Sequence, residues 1–216
     1  MSIDKKISNG REYRSMVLEI KDINEPADYR VSGYATTYNQ PYRLYGYNDG
    51  QYDVEVWEQV DSKAFDKTDM TDVIMQYDHE GRVFARISNN TLSLNKDDEK
   101  GLLIEADLGG TTIGRELFEE IKGGYTSKMS FGFTVEADEI AEEKNGNTMK
   151  YLRTITKIGK LYDVSAVSLP ANDYTVISAR HALDGAIEAR LTERLEVERR
   201  EALKAEIKAK IKGVNE

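Results

Sequence analysis

Residues 128–138 read KMSFGFTVEAD. Successive side chains of a strand point to opposite faces, so Phe131 and Phe133 share one side and Ser130 and Gly132 the other. The alternation predicts a half-buried strand with its aromatic residues turned into a core. Ser130 then has two readings: a small residue on a solvent face, or the attacking atom of an enzyme. Ser127 competes for the second role, and Gly132 is where another backbone can come close.

Just upstream, TTIGRELFEEIKGG (111–124) changes period. Ile113, Leu117 and Ile121 are four apart, a Thr stands near the start and Gly-Gly follows, which predicts a helix of roughly three turns. Around it the alternating texture continues in YRVSGYATTY (29–38), DVEVWEQV (53–60), TLSLNKD (91–97), GLLIEADL (101–108) and DVSAVSLP (163–170). Turn-like stretches, NDG (48–50), NKDDEKG (95–101) and EKNGN (143–147), separate such runs. A shorter helix is expected around SKAFDKTD (62–69), capped by Ser62. The fold class is mainly β with some α: a polar N-terminus over 1–12, a β-rich body over 13–180 and a charged helical tail over 181–216.

In that tail Leu183, Ile187, Leu191 and Leu195 are spaced by four, as are Leu203, Ile207 and Ile211. A spacing of four drifts by about 40° per step on a 3.6-residue helix, and Arg199 interrupts the stripe. The tail therefore reads as a partner or tether element rather than a long coiled coil.

The 216 residues are 39% hydrophobic and 32% charged, enough for one domain with a core and an appendage. Net charge is −9, and the tail from His181 onward balances eight acids with eight bases, so the body carries the excess. An acidic body without a basic stripe argues against a nucleic-acid partner. No run approaches the roughly 18 apolar residues of a membrane span, and the first residues lack the apolar core of a signal peptide. Cysteine is absent, which removes disulfides, thiolate zinc sites and a cysteine nucleophile. The two histidines, His79 and His181, with no HExxH pattern, argue against a catalytic metal, and no glycine-rich phosphate loop points to a cofactor.

His79 lies in DVIMQYDHEGRVFARI (72–87), where VIM predicts a buried strand and DHEG its outward-turning end. It is either a surface turn histidine or a base set between core and solvent. Asp78 and Glu80 flank it and raise a paired-carboxylate hydrolase, although neighbouring acids at a turn are usually just solvated. In KLYDVSAVSLPAND (160–173), Asp163 precedes an apolar strand; a carboxylate beside an imidazole fixes its tautomer and stabilises the imidazolium.

Taken in order, MQYDHEGRVFARI, GLLIEADL, IGRELFEEIKGGYTSKMSFGFTV and LYDVSAVSLPAND resemble the prohead (procapsid) maturation proteases of tailed bacteriophages, serine peptidases similar in fold to the herpesvirus assemblins. The resemblance spans roughly residues 14–178. It implies an antiparallel β-barrel with surrounding helices. Its histidine falls on His79, its serine on Ser130 rather than Ser127, and its acid on Asp163, where many relatives have Glu. Arg86 falls where relatives often carry Gly-Arg and either helps hold the oxyanion or braces the site. The assemblins use a second histidine as third member, which makes His181 a rival to Asp163. The substrates implied are the scaffolding segment of the major capsid protein and the protease itself, inside the assembling procapsid in the bacterial cytoplasm, with no cofactor and with dimers or larger homo-oligomers expected. The rival reading is a non-catalytic assembly adaptor built on the same β-domain.

Overall fold

A computed structural model describes residues 10–17 and 29–168, together with scattered helical, exposed positions between 192 and 204. His181 and the charged helix expected over 181–216 lie outside the described residues, those positions excepted. The chain divides into two units, Met1–Ser178 and Ala179–Glu216; the architecture below is that of the first.

Among the described residues of that unit, ten strands and one α-helix follow in the order β1 (Glu12–Val17), β2 (Arg30–Thr37), β3 (Tyr42–Asn48), β4 (Asp53–Val60), β5 (Ile74–Tyr77), β6 (Glu80–Arg86), β7 (Leu92–Asn95), β8 (Gly101–Asp107), α1 (Thr112–Lys122), β9 (Lys128–Asn145) and β10 (Thr148–Val167). A seven-stranded sheet runs β1-β9-β10-β4-β3, with β5 also beside β10 and β6 beside β5; β2-β8-β7 make a second, three-stranded sheet. The long β9–β10 hairpin is the spine. One edge of β10 pairs with β9 throughout, while the other takes β4 along residues 148–155 and β5 along 163–166.

Two sheets between which Phe131, Phe133, Met129 and Val164 meet Leu102, Ile104 and Val31 enclose the core, and Leu117, Phe118 and Ile121 of α1 close one side of it. Thr111 caps α1 by accepting a hydrogen bond from the Gly114 amide at 3.0 Å, and the helix stops at Lys122 before Gly123 and Gly124. That is the element its four-residue spacing and flanking residues predict.

Three expectations need correction. No closed barrel forms among the described residues: the strands make two separate sheets, and β1, β3 and β6 end the larger one. That sheet is mixed rather than antiparallel, since β4 and β5 both run parallel to β10. The short helix around 62–69 is a series of turns with amide bonds from Ala64 to Asp61 and Asp66 to Lys63. Asp61, not Ser62, caps them, its carboxylate accepting from the Lys63 amide at 2.8 Å; burial of the adjacent Ala64 and Phe65 leaves no helical stripe to propagate.

Candidate active site

Row by row, the strands bring separate stretches of chain onto one face. Gly132 of β9 lies between Tyr13 of β1 and Asp163 of β10; Ser130 lies between Ser15 and Ser165. Paired residues share a face, so Tyr13, Gly132 and Asp163 form one row and Ser130 and Ser165 the next. The opposite face of β9 carries Met129, Phe131 and Phe133, all fully buried. Ser130 is not on a solvent face, for it too is fully buried.

Asp163 reaches its row through a β-bulge. Leu161 pairs with Phe133 but Asp163 pairs with Gly132, so β10 advances two residues while β9 advances one. Without the extra residue, Asp163 would oppose Phe131 on the core face. The bulge turns the carboxylate over, and bulges commonly re-aim a side chain in this way. Asp163 thus sits inside β10 rather than ahead of a strand beginning at 163.

His79 arrives from the other side of β10. Asp78 and His79 are the two central residues of the β5–β6 hairpin, with φ of 49° and 59°, and Tyr77 pairs with Glu80 across them. Positive φ at both central positions is the backbone of a type I′ turn, which favours Asn and Gly, so Asp-His costs strain of order 1–3 kcal/mol per residue. Bonds to the end of β10 hold the turn in place. The Asp78 amide donates to Ala166 O at 3.0 Å, and the Asp78 carboxylate accepts from the amide and hydroxyl of Ser168 at 3.1 and 2.9 Å. Asp78 therefore braces the turn, and Glu80 is the first residue of β6.

The resulting constellation is continuous. His79 Nε2 lies 2.6 Å from Ser130 Oγ, and His79 Nδ1 lies 2.5 Å from Asp163 Oδ1. The His79 and Asp163 side chains are only 9% and 4% exposed. Tyr13 sets its ring edge-on against the imidazole, with centroids 4.4 Å apart and planes at 61°.

Two further residues shape the site: Ser165, which the sequence did not single out, and Gly132, which it did. Ser165, fully buried, donates to Asp163 Oδ1 at 2.9 Å and helps fix the carboxylate rotamer. Gly132 provides space rather than backbone access: a Cβ there would come within 2.4 Å of Asp163 Oδ2 and 2.8 Å of the Tyr13 ring.

The alternatives lie elsewhere. Ser127 is exposed, one residue ahead of β9, with no bond to the imidazole. Arg86 pairs with Asp72 through two nitrogens and touches none of Ser130, His79 and Asp163. No cluster of three potential metal ligands occurs among the described residues, and no helix described is long and apolar enough to cross a membrane.

A charged cluster sits on the core side of the same strands. Arg14 bonds Glu58 through Nε and, at 2.7 Å, through Nη2, and it meets Glu12 at 2.6 Å. Arg153 bridges the same two carboxylates at 2.8 and 2.9 Å and reaches Asp138 at 2.6 Å. Burial pushes the Glu58 carboxyl up, but the guanidinium of Arg14, then that of Arg153, outweighs it and holds the group below its usual value. Burial likewise works against the Arg14 cation, and Glu58 more than offsets it.

Compared with known proteins, the family model described as caudovirus prohead serine protease matches residues 16–186. No curated protein and no solved structure gives a significant match.

Proposed function

The chain belongs to the caudovirus prohead serine protease family, and from that premise we propose that it is an endopeptidase with Ser130 as nucleophile, His79 as general base and Asp163 as the group that orients the imidazole. The observation that carries the reading is the unbroken chain from Ser130 Oγ to His79 Nε2 at 2.6 Å and from Nδ1 to Asp163 Oδ1 at 2.5 Å. Ser130 Oγ attacks the scissile carbonyl as its proton passes to Nε2, and the imidazolium later gives that proton to the leaving amine. Asp163 keeps the Nδ1 proton in place, and so leaves Nε2 free to accept. Water completes the second half by hydrolysing the acyl-enzyme.

The substrates of this reading are the scaffolding segment of the major capsid protein and the protease chain itself, inside the procapsid. Self-cleavage is placed at the junction SARHALDG (178–185), and the tail beyond it serves to bring the enzyme to scaffold. The closed geometry fits an enzyme that waits for its shell. Ser130 has no exposed surface, so a peptide reaches Oγ only after the residues over it shift.

The test is co-expression of wild type and Ser130→Ala with the capsid protein, read by intact mass. Trimming of protease and capsid protein only by wild type is expected. Trimming by both proteins would transfer the role from Ser130 to another residue or to a host protease. Trimming by neither would favour the assembly adaptor, or an enzyme still waiting for its shell.

A further inference from the structure

A cleft of about 360 Å³ opens between β6 and α1. Its two walls follow from two periodicities. On β6, Glu80, Arg82 and Phe84 are two apart; on α1, Ile113, Glu116, Leu117 and Glu120 fall at the three- and four-residue steps of one helix face. The floor is apolar, from Phe84, Ile113 and Leu117, and carboxylates dominate the rim. Glu116 and Glu120 are exposed and have no side-chain partner among the described residues.

Its position ties it to the site above. Tyr77 and Glu80, which line one end, are the pair that brackets the Asp78–His79 turn. β6 pairs only with β5 among the described strands, and at its far end the Arg86 amide and carbonyl are bonded to Thr91. An apolar floor and an acidic rim running alongside a strand, next to the turn that carries the base, fit an extended peptide.

We propose that this cleft is a substrate subsite of the peptidase described above, on whose activity it rests. It takes an extended peptide that places an apolar side chain on Phe84, Ile113 and Leu117 and a neighbouring Lys or Arg against Glu116 and Glu120. Arg82 leaves the rim with an excess of two negative charges over these lining residues, three carboxylates against one guanidinium. An acidic residue in the same place meets like charge. Rim charges of this kind set selection and salt dependence more than total affinity.

The experiment uses full-length Ser130→Ala protein and two fluorescein-labelled synthetic peptides alike except around one leucine, which is flanked by lysines in one and by glutamates in the other. Anisotropy titration at low salt is expected to favour the lysine peptide by roughly fivefold, the scale of two exposed ion pairs. The preference should shrink in about 0.5 M salt. Glu116→Gln with Glu120→Gln should erase it, and Glu116→Lys with Glu120→Lys should invert it. All four changes are at exposed helix positions, so folding is readily checked by circular dichroism. Equal affinities, no binding of either peptide, or a lysine preference that both double variants keep would overturn the subsite. Wild type is assayed for cleavage in parallel by the capsid-protein co-expression described above, where the shell can assemble. Lysine-selective binding without any cleavage would keep the cleft and remove the peptidase reading; cleavage without lysine selection would do the reverse.

Discussion

Two buried polar clusters hang on the same strands and are built on opposite logic. On one face of β1, β9 and β10, Ser130, His79, Asp163 and Ser165 form a chain of hydrogen bonds around small side chains. On the other, Arg14, Arg153, Glu12 and Glu58 form a packed ionic lattice. Alternation along β1 alone divides them: Tyr13 goes to the first, Glu12 and Arg14 to the second. A buried charge without its partner costs several kcal/mol, so the lattice stands or falls as a unit and ties β1 to β4 and β10. An isosteric change in the other chain, which keeps its packing, forfeits only about 1 kcal/mol of net hydrogen bonding. One cluster should therefore fail as stability, the other as chemistry.

The sharpest contrast comes from Asp163→Asn. Loss of the correct imidazole tautomer should lower kcat by about 10⁴-fold while the melting temperature barely moves. A large drop in stability with activity intact would put Asp163 in the structural class and undo the comparison.

On the other face, Glu58→Ala should cost about 3–5 kcal/mol in urea unfolding, because two guanidinium groups then share Glu12. A loss below 1 kcal/mol would mean that water already screens the lattice.

Gly132→Ala tests the boundary between the two behaviours. The added methyl meets Asp163 Oδ2, which His79 and Ser165 hold in place. Displacing that carboxylate by a fraction of an ångström should lower activity by about a hundredfold, against a stability loss of about 1–3 kcal/mol. Unchanged kcat would show that the carboxylate relaxes freely.

Acid should separate the clusters next. The folded-state pKa of Glu58 is depressed, so the stability it contributes is complete above the ordinary carboxylate range and disappears as pH falls through the lower folded value. Melting temperatures of wild type and Glu58→Gln between pH 7 and 2 should converge at the acid end. Parallel curves would assign acid unfolding to other groups.

The smallest effect expected is that of Ser165→Ala, about tenfold in kcat with KM little changed, and with partial rescue by Ser165→Thr. A fall in stability that matches the fall in rate would make Ser165 a packing residue only.

Much of this was legible in the residues. The run at 128–138 turned Phe131 and Phe133 inward as alternation requires, and Thr111 and Gly123 bounded the helix predicted between them. Three losses have specific causes. β10 is 20 residues long, yet its core residues Ile155, Ile158, Leu161 and Val164 are three apart. Register shifts insert extra residues there, and a spacing of three matches no strand template. The far half of β9 is polar and exposed, so it offers no alternation to read. β1 carries Glu12 and Arg14 where a core strand would carry aliphatic residues.

The sequence by itself determined a mainly β chain with one capped helix and no thiol chemistry, and set His79, Ser130 and Asp163 within stretches that resemble one family. Only the tertiary structure decided that the three meet. His79 and Ser130 are 51 residues apart, and His79 and Asp163 are 84. Their approach depends on a bulge that reverses the facing of Asp163, on a two-residue turn held at positive φ, and on β5 lying parallel to β10. Pattern in a sequence reports which face a residue prefers along its own strand. Register, bulges and the order of strands in a sheet are settled by pairing between distant segments, and they decide which faces coincide.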